Sequence, residues 1–248
     1  MPKKIVVYTA LFGGYDSLTK VPTHDSKYID FICFTDVEIK SDYGWKIVKV
    51  EHKEVSHAMA NRYYKFHPHV LFPDYEASLY VDANIQIISN PYEMIKEYIA
   101  KSDFVMPKHA ERDCLYAEAK ECVIQNKEKY IIISKQIKKY NKIGMPKKYG
   151  LGENNILIRK HNNPLIIAVM EQWWSELINE SQRDQLSLAY VMWKNGLDFV
   201  FMTETSRNNN PYFSYQVHKK YINRTLQAKL KDRITLLLRR IRFQKWCV

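Results

Sequence analysis

The stretch SLYVDANIQI, residues 78–87, places polar side chains between two apolar runs. Its first part, residues 78–81, has the length and the apolar and aromatic content of a buried strand. Asp82 and Asn84 follow directly, with the small Ala83 between them. In open sheets of parallel strands, ligands bind at the carboxyl ends of the strands. The stretch therefore predicts a strand that delivers two polar side chains to a ligand-binding edge.

The tripeptide Asp82-Ala83-Asn84 has two interpretations. Alternate residues of an extended chain point the same way, so the oxygens of Asp82 and Asn84 can face one hard cation. A cation held by few protein oxygens keeps coordination positions for substrate phosphates, which is the usual arrangement for Mg²⁺. The alternative is a strand-ending turn, because Asp and Asn are common turn residues.

Short apolar runs alternate with segments of helical character along the rest of the chain. Strands are expected at residues 4–8, 31–34, 46–50, 78–81, 104–106 and 155–158. Helices are expected at residues 56–69, 91–100, 163–180 and 183–195. Strands that alternate with helices predict an α/β fold, in which helices flank a mostly parallel sheet.

Composition supports an ordinary globular protein. The 248 residues are 46% hydrophobic, which is enough for the core of one large domain. No apolar run approaches the roughly 18 residues of a membrane span, and no signal-peptide core follows Met1, so we expect a cytoplasmic protein. The cysteines lack metal-site or disulfide spacing, and reduced thiols are expected. They are Cys33, Cys114, Cys122 and Cys247.

The net charge of +11 is concentrated at the end of the chain. Residues 219–248 contain ten Lys and Arg residues against one acid, Asp232. Apolar residues recur there at steps of three and four, which predicts one helix stripe. The stripe is formed by Leu226, Leu230, Ile234, Leu237 and Ile241. The sequence therefore predicts a main domain at residues 1–218 and a basic amphipathic C-terminal segment at residues 219–248.

Two interpretations of this basic segment remain open. A basic helix with an apolar stripe can lie in a membrane interface, where Lys and Arg reach anionic headgroups. Alternatively, the stripe packs on the main domain and the basic side faces solvent. Nucleic acid is not an expected partner, because no recognition module accompanies the charge.

Several other polar residues lie where a ligand site is expected. The first strand ends in VYTALFGGYD, residues 7–16, whose small residues allow a ligand to approach the backbone closely. The second strand leaves Asp36 at its tip, as a partner for a base or a ribose. Arg62 and Lys65 lie three residues apart on a predicted helix and suit phosphate oxygens, although a solvated helix face is the alternative.

Taken together, these motifs resemble those of a glycosyltransferase-like domain family. The motifs are VYTALFGGYD, CFTD, SLYVDANI, HAERDCLYAEA, GLGENNILIRKHNNP and RDQLSLAYVMWKNG. The family occurs in bacterial polysaccharide gene clusters and in plant Golgi proteins, and the resemblance covers about residues 4–218. More distantly, the chain is similar to glycogenin and to lipopolysaccharide galactosyltransferases.

The resemblance implies a fold and an activity. The fold is GT-A, a Rossmann-like α/β sandwich. The activity is the transfer of a sugar from a nucleotide diphosphate sugar to a hydroxyl of a glycan or lipid-linked glycan, in the synthesis of a surface polysaccharide such as capsule or O-antigen. The enzyme would be cytoplasmic, and peripheral on the inner face of the cell membrane if the basic segment binds lipid.

The resemblance also implies roles for individual residues. Asp82-Ala83-Asn84 takes the place of an Asp-x-Asp motif that binds Mn²⁺ or Mg²⁺, with His218 as a further metal ligand. Asn84 departs from the motif, because its amide oxygen is a neutral ligand. The residues that would bind the nucleotide sugar are Tyr8, Thr9, Ala10, Asp36, Arg62, Lys65, Asp82, Ala83, Asn84 and Arg112.

The acceptor side of the resemblance includes two carboxylates. Asp184 would be the catalytic base of an inverting enzyme or a donor-sugar ligand of a retaining one, and Glu153 would bind a hydroxyl. By itself, Asp184 also fits an acid favoured by the helix dipole in a first turn. Arg112 with Glu118 could instead form a structural ion pair.

Two other functions remain as alternatives. A nucleotidyltransferase would use the same diphosphate geometry, but it would need a second acidic metal cluster beside the strand, and the sequence shows none. A non-catalytic glycan- or membrane-binding protein is favoured by the absence of a second carboxylate in Asp82-Ala83-Asn84.

Overall fold

The structure is a computed structural model that describes residues 4–39, 42–51, 56–218, 225–244 and 246. The chain divides into two compact units, each built from three segments. The sheet unit comprises Met1–Pro107, Asn154–Glu171 and Val200–Ile222. The helical unit comprises Lys108–Glu153, Gln172–Phe199 and Asn223–Val248.

The strands belong to the sheet unit. They are β1 (Ile5–Leu11), β2 (Ile29–Thr35), β3 (Lys46–Lys49), β4 (Ala77–Val81), β5 (Ile85–Ile87), β6 (Phe104–Pro107), β7 (Ile156–Arg159), β8 (Val200–Met202) and β9 (Phe213–Tyr215). Within the described residues, seven of them form one sheet in the order β3-β2-β1-β4-β7-β6-β8, and β5 pairs with β9. Only β7 of this sheet, as described, runs antiparallel to its neighbours. The predicted α/β fold with a mostly parallel sheet is confirmed.

The burial of each strand follows its place in the sheet. Every residue of β1, β4 and β7 is buried, because both faces of these central strands are covered. They read as apolar runs for that reason. In contrast, β3 lies at an edge and has no buried residue, in agreement with its alternating sequence.

The helices are short and mostly amphipathic. They are α1 (His57–Phe66), α2 (Pro68–Leu71), α3 (Tyr92–Lys101), α4 (Leu115–Ile124), α5 (Tyr130–Ile143), α6 (Pro164–Asn179), α7 (Asp184–Lys194) and α8 (Leu226–Arg242). The hydroxyl of Ser56 accepts the N–H of Met59 and begins α1. The predicted helix 56–69 is interrupted at His67, because its successor Pro68 disfavours a helical conformation there.

The two faces of the sheet have different cores. One face is aliphatic and packs with α3, through buried residues such as Val7, Leu79 and Ile158. The other face carries Tyr8 and Tyr80, whose ring centroids lie 5.2 Å apart. Successive residues of a strand point to opposite faces, so a single strand supplies both cores.

Two expectations concern membranes and the end of the chain. None of the helices in the described ranges has both the length and the hydropathy of a membrane-spanning segment. Four basic residues of the predicted C-terminal segment lie outside the described residues, as does Cys247. The four are Lys219, Lys220, Arg224 and Lys245.

Candidate functional site

The carboxyl ends of β1, β2 and β4 lie at one edge of the sheet unit. These strands are adjacent and parallel, with Tyr8 beside Tyr80 and Leu11 beside Thr35. The segments that follow them therefore leave the sheet at the same edge. Many of the residues predicted from the sequence lie on these segments.

The tripeptide Asp82-Ala83-Asn84 forms the tight turn that joins β4 to β5. The backbone N–H of Asp82 donates to the carbonyl of Asn155, and the carbonyl of Asp82 accepts the N–H of Ile85 at 2.9 Å. The backbone thus forms a strand-ending turn, which was one of the two interpretations of this tripeptide. The side chain of Asp82 is 38% exposed, so its carboxylate is accessible at the sheet edge.

A buried cation lies next to Asp82. The side chain of Lys65 is only 5% exposed, and its Nζ atom lies 3.6 Å from Oδ1 of Asp82. The same ammonium group lies 5.3 Å from the ring centroid of Tyr80. Burial, and after it the Asp82 carboxylate, hold the pKa of Tyr80 well above its usual range, while Arg62 acts in the opposite direction. Asp82 and Arg62 therefore act on the Tyr80 hydroxyl, and Lys65 lies beside both Asp82 and the Tyr80 ring.

The strand pair β5–β9 brings His218 to the same edge. The N–H of Gln216 donates to the carbonyl of Asn84, and the side-chain amide of Asn84 donates to the carbonyl of Gln216. These bonds place Nδ2 of Asn84 3.5 Å from Nε2 of His218. The predicted pair of Asn84 and His218 is therefore brought together, although 134 positions separate the two residues.

Asp16 is a site residue that the sequence did not indicate. Its side chain is buried, and its two carboxylate oxygens lie 3.0 and 2.9 Å from Nδ1 of His218. The signal for it is its position at the end of VYTALFGGYD, after the turn at Gly13 and Gly14. A sequence pattern alone does not show that this turn directs a carboxylate towards a histidine so far along the chain.

These contacts bear on the metal site that the resemblance implies. A carboxylate on Nδ1 keeps the proton there and leaves Nε2 as an acceptor, which is the arrangement found for metal-binding histidines. In the described residues, no three His, Cys, Asp or Glu side chains are grouped to hold an ion. Asp82, Asn84 and His218 as ligands of Mn²⁺ or Mg²⁺ stay a prediction, because the amide nitrogen of Asn84, not its oxygen, faces Gln216 and His218.

Tyr8, Thr9 and Ala10 lie on β1 beside this cluster. The hydroxyl of Tyr8 donates to the carbonyl of Lys65 and accepts from Arg159, and burial raises the pKa of Tyr8 to about 12. Its ring is thus buried on one face of the sheet. Thr9 is buried as well, and the carbonyl of Ala10 accepts from Asn61. These contacts fix the backbone at the end of β1.

Asp36 is tied to the glycine turn. Its Oδ1 accepts the N–H of Gly13 at 2.8 Å, and its Oδ2 lies 3.5 Å from Nε2 of His57. Gly13 has a φ of +64°, and a Cβ atom there would lie 2.4 Å from Nδ1 of His57. Glycine is therefore required at this position, and Asp36 together with His57 sets the shape of the turn.

Arg112 belongs to the helical unit and forms ion pairs with two glutamates. Its guanidinium donates to the buried Glu118 at 2.5 Å and to Glu111 at 2.7 Å. His109 also lies 3.6 Å from Glu118, and burial lowers the pKa of His109. The ion pair that the sequence offered as one alternative is present, and a role for Arg112 in donor binding stays a prediction.

The two predicted acceptor-side carboxylates also belong to the helical unit. Asp184 is the first residue of α7, and its carbonyl accepts the indole N–H of the buried Trp173 at 2.9 Å. The side chain of Asp184 accepts the N–H of Gln185 at 3.1 Å. Glu153 is buried directly after the bridge between Lys108 and Gly152.

Comparison with known proteins matches a family model, a curated plant protein and a solved structure. A family model described as the TOD1/MUCI70 glycosyltransferase-like domain matches residues 2–211. A probable hexosyltransferase of Arabidopsis thaliana, MUCI70, is 25% identical over an alignment that covers 75% of this chain and 37% of the plant protein. The apo structure of the bifunctional glycosyltransferase WbbM gives a TM-score of 0.47 at 8% identity, covering 82% of this chain and 39% of that one. The chain thus spans well under half the length of each of these two proteins.

Proposed function

Because this chain belongs to the TOD1/MUCI70 glycosyltransferase-like domain family, we propose that it transfers a sugar from a nucleotide diphosphate sugar to a hydroxyl group of a glycan. Membership of this family supports the transfer of a sugar in general. The nucleotide sugar donor and the glycan acceptor are what we propose in addition. The acceptor we propose is a glycan or lipid-linked glycan of a surface polysaccharide such as capsule or O-antigen. The observation that carries the proposal is the cluster of Asp82, Asn84, Lys65, His218 and Asp16 at one sheet edge.

The cluster has the chemistry that a diphosphate needs. The buried ammonium of Lys65 has little access to water, so its attraction for phosphate oxygens is only weakly screened. Arg62, on the same helix, adds a second cation for the diphosphate. Mn²⁺ or Mg²⁺ held by Asp82, Asn84 and His218 would stabilise the negative charge of the departing diphosphate.

The nucleoside would lie against the end of β1. The N–H of Gly13 donates to Asp36, and the side-chain amide of Asn61 donates to the carbonyl of Ala10, so this backbone is held in place before a ligand binds. A site fixed in advance spends less binding free energy on ordering itself. Ala83, in the turn after β4, leaves room for a flat base or a ribose, whereas Thr9 and Ala10 are buried and act through the backbone of β1.

Asp184 would act on the acceptor hydroxyl or on the donor sugar. Its carboxylate can take the proton of the acceptor hydroxyl while that hydroxyl attacks the sugar, or it can bind the donor sugar. Glu153 would bind a hydroxyl of the sugar or of the acceptor, and Arg112 would contribute to the donor side.

The proposal is tested with a panel of nucleotide diphosphate sugars in the presence of Mn²⁺. At least one donor is expected to raise the melting temperature of the protein, and to release its nucleoside diphosphate slowly by hydrolysis. The Asp82→Ala variant should lose both responses, whereas Glu97→Ala, which removes an exposed carboxylate of α3, should keep them. If no donor has any effect on the unmodified protein, the enzyme assignment is wrong.

A further inference from the structure

Helix α8 presents an apolar stripe that nothing in the described residues covers. The stripe consists of Leu226, Leu230, Ile234, Leu237 and Ile241, with relative exposures between 52% and 85%. Among the described residues of α8, none is buried. One of the two interpretations of the sequence was that this stripe packs on the main domain. The observed exposure of the stripe contradicts it.

The opposite side of α8 holds the helix to the helical unit. The guanidinium of Arg239 donates to the carbonyls of Val123 and Ile124, at the C-terminal end of α4, where carbonyls lack partners within the helix. The ring of Phe243 lies 5.5 Å from that of Tyr130. At 3.6 residues per turn, Arg239 and Phe243 point away from the stripe. The attachment therefore directs the stripe outwards.

Basic residues border the stripe on both sides. Between Leu226 and Arg242 the helix carries six Lys and Arg residues against one acid, Asp232. The same helical geometry places Lys229 and Arg233 along one border and Lys231 along the other. Arg240 lies 3.4 Å from Glu121 of α4. Long basic side chains can keep their charge in a polar layer while their stems lie along apolar surface.

This combination selects among possible occupants of the stripe. A second copy of the helix would bring two strongly positive surfaces together, which is unfavourable. A nucleic acid would attract the charge but would leave the apolar stripe exposed to water. An anionic bilayer satisfies both features, because the stripe enters the boundary of the acyl chains while the bordering cations contact headgroups.

We propose that α8 binds this protein to the surface of an anionic lipid bilayer, with the stripe facing the lipid and the Arg239 side facing the protein. The proposal does not depend on glycosyl transfer, because it rests on the exposure and charge of α8 alone. It goes beyond that activity because it locates the protein at a membrane surface.

The test is cosedimentation of the full chain with lipid vesicles, without any nucleotide sugar. The protein should bind vesicles that contain phosphatidylglycerol, bind vesicles of phosphatidylcholine much more weakly, and dissociate as salt is added. The double variant Leu230→Gln/Leu237→Gln should lower the partition coefficient by about tenfold or more, because two apolar side chains no longer enter the lipid. Glutamine also favours helices, so α8 should persist.

A matched control distinguishes binding through the stripe from non-specific binding through other exposed apolar side chains. Ile143 and Ile178 are 51% and 56% exposed but lie outside α8. Ile143→Gln/Ile178→Gln should bind vesicles like the unmodified protein, and both double variants should keep its melting temperature. Absence of binding to anionic vesicles, or equal loss in both double variants, would overturn the proposal. So would a dimer that the Leu230→Gln/Leu237→Gln change converts to monomer, since the stripe would then be a self-association surface.

Discussion

The Nδ1 atom of His218 lies 2.9 Å from Oδ2 of Asp16, across 202 positions of the chain. The contact fixes the orientation of the imidazole and leaves Nε2 on the side of Asn84. Asp16 is therefore a positioning residue for the proposed metal ligand.

Replacing Asp16 by Asn should weaken the binding of nucleoside diphosphate in the presence of Mn²⁺ by roughly 10- to 100-fold, as is usual when the partner of a metal-binding histidine is lost. Isothermal titration calorimetry with Mn²⁺ and with a chelator measures the effect. Asp25→Asn, at an exposed turn, is the control. An equal loss with chelator present would show that Asp16 only supports the glycine turn.

Asn84 decides how strongly the proposed site holds a cation. Asn84→Asp adds a carboxylate to the site, so Mn²⁺ should bind more tightly, whereas Asn84→Ala removes an oxygen ligand and should weaken Mn²⁺ binding. Titration with Mn²⁺ followed by electron paramagnetic resonance compares the two variants. If both bind Mn²⁺ like the unmodified protein, residue 84 is not a ligand.

The proposed base can be separated from donor binding. Asp184→Asn keeps the shape of the side chain but cannot accept a proton, so the turnover number should fall by roughly 10²-fold or more while the affinity for the donor changes little. Steady-state kinetics and donor titration measure the two quantities. Near-normal turnover would exclude Asp184 as the base, and a large loss of donor affinity would favour the donor-sugar role.

Stability should decrease as the solution becomes acidic. Burial lowers the pKa of His161 from 6.5 to about 4, and its Nε2 lies 2.8 Å from the carbonyl of Phe72. Between these two pH values the unfolded chain takes up a proton that the folded protein does not, so the free energy of unfolding falls as pH is lowered through this window. The upper limit for this group is on the order of 3 kcal/mol.

Urea unfolding at several pH values between 7 and 4 measures this effect. His161→Gln keeps an N–H donor but cannot titrate, so its stability should depend less steeply on pH. Thr23→Gln, a change of an exposed residue that does not titrate, should retain the full slope. Burial also lowers the pKa of His67 and His109, which therefore contribute to the same slope. Identical slopes for all three proteins would contradict the assignment to His161.

The sequence predicted the central strands better than the peripheral elements. The runs that became β1, β2, β4 and β7 are apolar because both faces of the sheet are covered, and a run of that kind is easy to recognise. The strands β5, β8 and β9 were missed, because three residues are too few to show a period. The helix α5 was also missed. It contains three consecutive isoleucines, which favour strands, and packing of its buried face overrides that preference.

Part of the site could be predicted because its residues follow strands directly. Asp36 and Asp82 belong to this group, since a strand end fixes where the next side chain lies. Asp16 and His57 do not, because their places depend on the glycine turn and on a contact between distant segments. Tyr8 shows the reverse case, since its ring points to the buried face while its backbone remains at the site edge.

The sheet unit is assembled from three separated stretches of chain, and this has a consequence for synthesis. Asp82 is made before β7, which pairs with β4, and well before the segment that carries His218. Until then the edge of β4 lacks its partner, and contacts this distant in sequence form slowly. The polar edge of the nascent chain is thus completed only when His218 has emerged from the ribosome, so the protein should acquire nucleotide affinity only after this segment has been made.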